Sequence, residues 1–292
     1  MAEAERLLGL AVIGILAGGV YGLLAVGLSL QIGVCRVLNI THGEFAMLGG
    51  VLTFTLVELG INPLVAPVII GPILFGIGFL LQATLFKGIK VRAPSPAAFE
   101  GNALLAAFGV MYIISYIARM EFGTRALPTH YLTEGLQFLG VSIQLNLIVG
   151  FAVAAVLGIA VYLFLTRSRL GRAIRATAED QPTAELMGVN TNTVLALCFG
   201  LGALLAGIAG TLISLRSDVN TGIGFNNTII ALIVVTLGGL GSVPGSFVAG
   251  IIIGIVSMMV AGLWESVLIV PVYYAMLMVL LLARPTGIFG KK

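Results

Sequence analysis

The sequence predicts an all-α, polytopic helical membrane protein, and three observations carry that prediction. Of the 292 residues, 59% are hydrophobic and only 9% are charged, where soluble domains carry about a quarter charged residues. The mean hydropathy is +1.13. Apolar runs of near-bilayer length follow one another with short polar links, and none shows the alternation of a barrel strand. Lipid offers no hydrogen-bond partners, so such spans must satisfy their own backbone as helices.

A hydrocarbon core of roughly 30 Å needs about 20 helical residues. On that ruler nine segments emerge, at 9–33, 43–60, 63–86, 102–119, 143–165, 192–214, 227–241, 245–263 and 267–283. The first follows "MAEAERLLGLAVIG", which lacks a basic leader and a cleavage site and reads as a retained span. Its Gly14, Gly18 and Gly22 share one helical face, and Gly250 and Gly254 repeat the spacing. Such a stripe suits a packing seam, with a pore lining as the alternative. The second segment carries Glu44 and Glu58. Pro63, Pro67 and Pro72 delay or kink the third. Segment 227–241 is short and runs into "GGLGSVPG", so it could enter and leave on one side. No repeat or linker divides the chain, which reads as one domain over residues 1–292.

Eleven basic residues fall on one side of this arrangement: Arg36, Lys87, Lys90, Arg92, Arg167, Arg169, Arg172, Arg175, Arg284, Lys291 and Lys292. Arg6, Arg119, Arg125 and Arg216 fall on the other. The positive-inside rule then places the N-terminus outside and the C-terminus in the cytoplasm. The net charge of +3 is explained by this orientation and suggests no nucleic-acid partner.

Charge concentrates in one insert, about residues 167–190, whose segment from Arg167 to Glu185 holds four arginines and three acidic residues. Leu170 and Ile174 lie one turn apart on a first helix, with Arg172 and Arg175 free to reach lipid phosphate or a partner. Pro182 suits the start of a second helix, and Glu179 and Asp180 complement its N-terminal dipole. Gly188 can end that helix and Asn190 or Thr191 can cap the next span. The expectation is a helix, a turn and a short helix. It is either a solvated loop or, given its ordered start and stop signals, a docking element.

No catalytic residues and no metal site are expected. The chain has no phosphate-cradling G-x-x-x-x-G-K-[ST] loop. His42 and His130 are far apart, Cys35 and Cys198 lack ligand spacing, and no run of titratable residues forms a proton relay. A self-powered carrier or channel, or an intramembrane enzyme, would need such groups. "NITHGEF" places Asn39, Thr41, His42 and Glu44 at the edge of an apolar span, as helix caps or as path or gate residues. In "GGLGSVPG", Gly238, Gly239, Gly241 and Ser242 form either a tight hairpin or exposed backbone facing a cavity.

The stretches "GLLAVGLSLQIGVCRVLNITHGEFAMLGG", "SRLGRAIRATAEDQPTAELMGVN", "IALIVVTLGGLGSVPGSFVAGIIIGIV" and "RPTGIFG" resemble, in order along nearly the whole chain, the LivH-type permeases of branched-chain amino-acid ABC importers. The resemblance implies an inner-membrane permease that pairs with a homologous permease. Two cytoplasmic ATPases would carry ATP and Mg, so this chain binds no cofactor, and an extracytoplasmic binding protein would deliver solute. It implies that the charged insert is the ATPase-coupling loop, in which Ala184, Glu185 and Gly188 echo the "EAA" pattern of other importers with one residue fewer before the glycine. Branched-chain amino acids are the expected cargo, with urea or short amides as the alternative within the same family.

Overall fold

The computed structural model describes residues 2–138, 141–284 and 287–290. Pro285 and Thr286 of "RPTGIFG", and the basic Lys291 and Lys292, lie outside the described residues. Among those described, seven helical stretches are long and apolar enough to cross a membrane, with one shorter apolar helix besides.

The first helix, α1 (Ala2–Leu30), runs into a π turn, Gln31–Cys35. After α2 (His42–Glu58) comes α3 (Ala66–Leu81), which continues through a π turn, Gln82–Phe86, into α4 (Lys87–Arg92). The prolines act as expected: the helix starts three residues late, with Pro67 in its first turn and Pro72 inside it. Ser95 then caps α5 (Pro96–Phe122) by accepting from the Ala98 amide at 3.2 Å. This helix is longer than its apolar run at both ends, by residues 96–101 and 120–122.

One element departs from the all-α expectation. Strands β1 (Gly135–Phe138) and β2 (Val141–Gln144) pair antiparallel, with Gly135 opposite Gln144 and Gln137 opposite Ser142. The expected span 143–165 took in the second half of β2, because Ile143 is apolar. Helix α6 (Leu145–Arg167) begins only after it.

The insert forms α7 (Arg169–Glu179) and α8 (Gln181–Leu186), separated by Asp180. Helix α9 (Thr191–Ser214) is the most buried span and packs against α1, α2 and α3. Helices α10 (Ile223–Gly238) and α11 (Val243–Leu263) follow, and α12 (Ile269–Ala283) lies along the outside with only Tyr273 buried.

The most extensive pairing is α1 on α11, and it is the glycine stripe that permits it. A Cβ added to Gly18 would stand 2.7 Å from the Gly250 carbonyl, and one added to Gly250 would stand 2.3 Å from Gly22 Cα. The two backbones touch. Small residues allow this approach, and in lipid, where apolar burial drives no association, the resulting dispersion contacts hold helices together.

Gly250→Val pushes a branched side chain into the α1 backbone and costs about 1–3 kcal/mol or more. Gly101→Ala, at a site with nothing within 4 Å, is neutral or stabilising by up to about 1 kcal/mol. Thermal unfolding of the detergent-purified protein separates the two; equal midpoints would show that α1 and α11 are not in backbone contact.

Candidate functional site

The first span does not simply end at a membrane edge. Arg36 adopts the left-handed conformation (φ 53°) after the π turn, and its amide bonds to the Ile32 carbonyl at 3.2 Å. The chain then doubles back. His42, the first residue of α2, lies beside Leu24, eleven residues and so about 16 Å up α1 from Cys35. Its Nε2 is 2.9 Å from the Leu24 carbonyl. Thr41 donates its hydroxyl to the Ala107 carbonyl at 2.8 Å, about 16 Å along α5 from Pro96. Both rulers put the start of α2 well away from the ends of α1 and α5, inside the helix packing. "NITHGEF" is thus at the start of α2, as expected of a span edge, but it is buried in the interior.

Non-helical backbone at this depth is tolerated only where protein satisfies it, and here the bonds can be traced. Gln31 donates to the Phe199 carbonyl at 3.0 Å, and its oxygen accepts from Asn39 Nδ2 at 3.0 Å. The Asn39 oxygen accepts from the Thr41 amide at 3.1 Å. His42 Nδ1 lies 3.2 Å from the Gln31 oxygen. The Gly43 amide, one of the free donors of the helix start, bonds to Thr228 Oγ1 of α10 at 2.9 Å, and that hydroxyl donates to the Ile40 carbonyl at 2.8 Å. Helix α2 is therefore capped in part from another helix. Asn39 shapes the turn before it, and the Thr41 side chain takes no part in its cap.

Glu44 stands apart from this network. Its side chain is 2% exposed, yet its Oε2 has no hydrogen-bond partner. The carboxylate rests on the bare Cα of Gly224 in the first turn of α10, where a Cβ would meet it at 2.3 Å. The helix dipole favours an anion at that position. Glu44 also contributes to a cavity of about 590 Å³ that includes Ser115, Tyr116, Arg119, Gly222 and Phe225. That is within the range of about 300–1,000 Å³ usual for small-molecule sites.

The glycine turn is at the far end of α10 from Glu44, about 22 Å away. Gly239 (φ 99°) and Gly241 (φ 81°) make it a tight hairpin. Ser242 accepts from the Gly245 amide at 3.2 Å to cap α11. The last carbonyls of α10, on Leu237 and Gly238, are taken by the Ile288 and Phe289 amides, which gives the "RPTGIFG" segment a structural role. Gly241 and Ser242 border a groove of about 290 Å³ shared with Ile174 and Arg175 of the insert. The two groups of path candidates are thus not brought together.

In the insert, Arg172, Glu179, Pro182, Glu185 and Gly188 are exposed, whereas Ala184 is buried. Arg175, expected to be free, donates to the Leu165 carbonyl at the end of α6. Leu170 is half exposed and does not share the burial of Ile174. Asp180 accepts from Thr183, Glu185 accepts from Thr191, and Lys90 of α4 donates to Gln181. Gly188 (φ 84°) ends α8 as expected, and Asn190 caps α9 through the Thr193 amide at 3.2 Å. Leu186 and Met187 are 87% and 80% exposed. Sequence reasoning passed over these two, as it did Gln31, Ser115 and Thr228. Uncharged polar residues within spans were the signal for the latter three.

Residues 10–283 match the family described as branched-chain amino acid transport system / permease component. The high-affinity branched-chain amino acid transport system permease protein BraD of Pseudomonas aeruginosa is 31% identical, over 95% of this chain and 94% of its own length. LivH of Escherichia coli, a permease protein named for the same transport, is 30% identical over the same shares. The ribose import permease protein RbsC of Escherichia coli is 24% identical over 80% of this chain and 72% of its own length. No solved structure matches the chain.

Gln31→Leu strips the donor from the Phe199 carbonyl and the acceptor from Asn39, leaving buried polar groups at about 1–3 kcal/mol each. A clear fall in the thermal midpoint in detergent is expected, and an unchanged midpoint would show that Gln31 does not hold the start of α2.

Proposed function

The chain belongs to the family of branched-chain amino-acid transport permeases, and on that premise we propose that it is one of two permease subunits of an ATP-driven importer of branched-chain amino acids. A homologous second permease completes the path, an extracytoplasmic binding protein delivers the solute, and two ATPases supply the energy. ATP and Mg²⁺ belong to those ATPases. The α7–α8 end faces the cytoplasm of the plasma membrane, and the N-terminus faces outside. The gathering of basic residues near that end supports this orientation: Arg36 and Lys90 border one cavity with Asp180 and Gln181.

The observation that carries the reading is the build of the insert. Its tip exposes two adjacent large apolar residues, Leu186 and Met187, on an otherwise polar element. Its base is fixed at three places: Gln181 to α4 through Lys90, Arg175 to the end of α6, and Glu185 to Thr191 at the start of α9. An exposed apolar tip on a fixed base suits docking into a groove of a partner. When the ATPases close, a rigid insert passes the displacement to three spans at once, and a rigid-body swing of those spans alternates access. Glu185 and Arg175 act here as positioning residues, and Leu186 and Met187 form the grip.

The path runs along α5. Its Tyr112, Ile113, Tyr116 and Ile117 are exposed beside the cavity that holds Glu44 and Arg119. Ionisable groups opened sideways to lipid are costly, so this face meets the second permease.

Replacing Leu186 and Met187 together by serine leaves the fold intact, because both are exposed. It lowers leucine uptake by proteoliposomes holding the whole importer by about tenfold or more, the loss of a small apolar anchor. Gly188→Val forces a branched residue into a left-handed conformation costing roughly 1–2 kcal/mol, and it uncouples ATP hydrolysis from uptake. Wild-type uptake by both variants at normal complex levels would refute the docking role.

A further inference from the structure

Resting on the importer reading, we infer that Glu44 and Arg119 form a subsite for the zwitterionic head of an α-amino acid within the path. Glu44 is the one buried carboxylate among the described residues with an oxygen left unpartnered. A buried anion with free acceptor capacity is expensive unless a cation or donor meets it. Among the described residues, no lysine, arginine or histidine within 4 Å forms an ion pair with it. Arg119 borders the same cavity. An anion and a cation that border one cavity without pairing leave room for a dipolar ligand between them.

The two groups suit opposite ends of such a ligand. The Glu44 carboxylate accepts from an ammonium, and the Arg119 guanidinium presents a planar fork of donors to a carboxylate. Between them Phe108, Met111, Tyr112, Tyr116 and Phe225 give apolar walls on which a branched side chain can rest. Gly224 is what lets Glu44 reach this place, since any Cβ there would overlap the carboxylate. A solute with no ammonium would leave Glu44 unpaired, so the subsite selects amino acids over the sugars that other permeases carry.

The test uses the complete importer in proteoliposomes, with Tyr116→Cys as a reporter in the cavity wall; Cys35 and Cys198 are buried and stay unlabelled. Leucine slows labelling of the reporter by a neutral thiol reagent, whereas des-amino leucine and the decarboxylated amine do not. Glu44→Gln, which keeps the shape and removes the charge, raises the leucine concentration for half-protection by about tenfold, the worth of one charge-assisted contact. Arg119→Gln, at an exposed position, does the same and serves should Glu44→Gln assemble poorly. Equal protection by all three compounds, or unchanged half-protection in both variants, overturns the subsite. Leucine uptake by the unmutated importer is the separate control: its absence counts against the importer reading and not against the geometry of the subsite.

Discussion

The structure depends on how the backbone between α1 and α2 satisfies its hydrogen bonds without water. Residues 36–41 leave the helix and return into the buried interior, where each unpaired amide or carbonyl would cost several kcal/mol. Side chains from α1, α10 and the segment itself meet that demand. Gln31 bridges the Phe199 carbonyl and Asn39, Asn39 holds the Thr41 amide, and Thr228 serves both the Gly43 amide and the Ile40 carbonyl. Because these bonds fix the depth at which α2 begins, they also fix Glu44 against the first turn of α10. Were α2 to start at the membrane edge, Glu44 would meet water and not the cavity beside α5.

Close backbone contact makes room for this arrangement. Helix α9 presents Gly207 and Gly210 to α2: a Cβ on Gly210 would fall 1.8 Å from the Ala46 carbonyl, and one on Gly49 would fall 2.0 Å from the Gly207 carbonyl. Thr53 and Thr211 add a 3.0 Å hydroxyl contact along the same line. Together with the α1–α11 stripe, these glycines let four helices crowd around a core in which bulky residues such as Phe45 and Phe199 are fully buried. Larger side chains at the crossings would separate the helices and open the polar network to lipid.

Much of this was legible in the sequence. Nine apolar segments each contain a helix, and the spacing of Gly14, Gly18, Gly22, Gly250 and Gly254 foretold where two backbones meet. Pro182 and Gly188 marked the bounds of α8. Depth was not legible. Hydropathy cannot tell a polar cluster at an interface from one folded back into the interior, because the difference lies in partners such as Leu24, Ala107 and Thr228 that are remote in sequence. The hairpin before α6 was hidden because its strands are only four residues each and the end of the second runs into the apolar span. The intramolecular roles of Arg175 and Glu185 were hidden for a related reason: an exposed charge in a helical insert looks the same whether it faces a partner or its own scaffold.

The π turn at the end of α1 joins the two ends of the proposed mechanism. Such turns interrupt the regular ladder and often occur at functional sites. Gln181 of the insert donates to the Val34 carbonyl at 3.4 Å, and the Cys35 thiol faces the Leu195 carbonyl of α9 at 3.5 Å. Gln31, the hub of the buried network, is in the same turn. A displacement of α8 therefore needs to cross only one turn of backbone to reach the bonds that set the depth of α2, and with it the position of Glu44. A regular α-helix would resist that displacement along its whole length. A π turn followed by Arg36 in the left-handed conformation gives the chain a local place to yield, so that in the proposed mechanism force applied at the insert is felt at the proposed path.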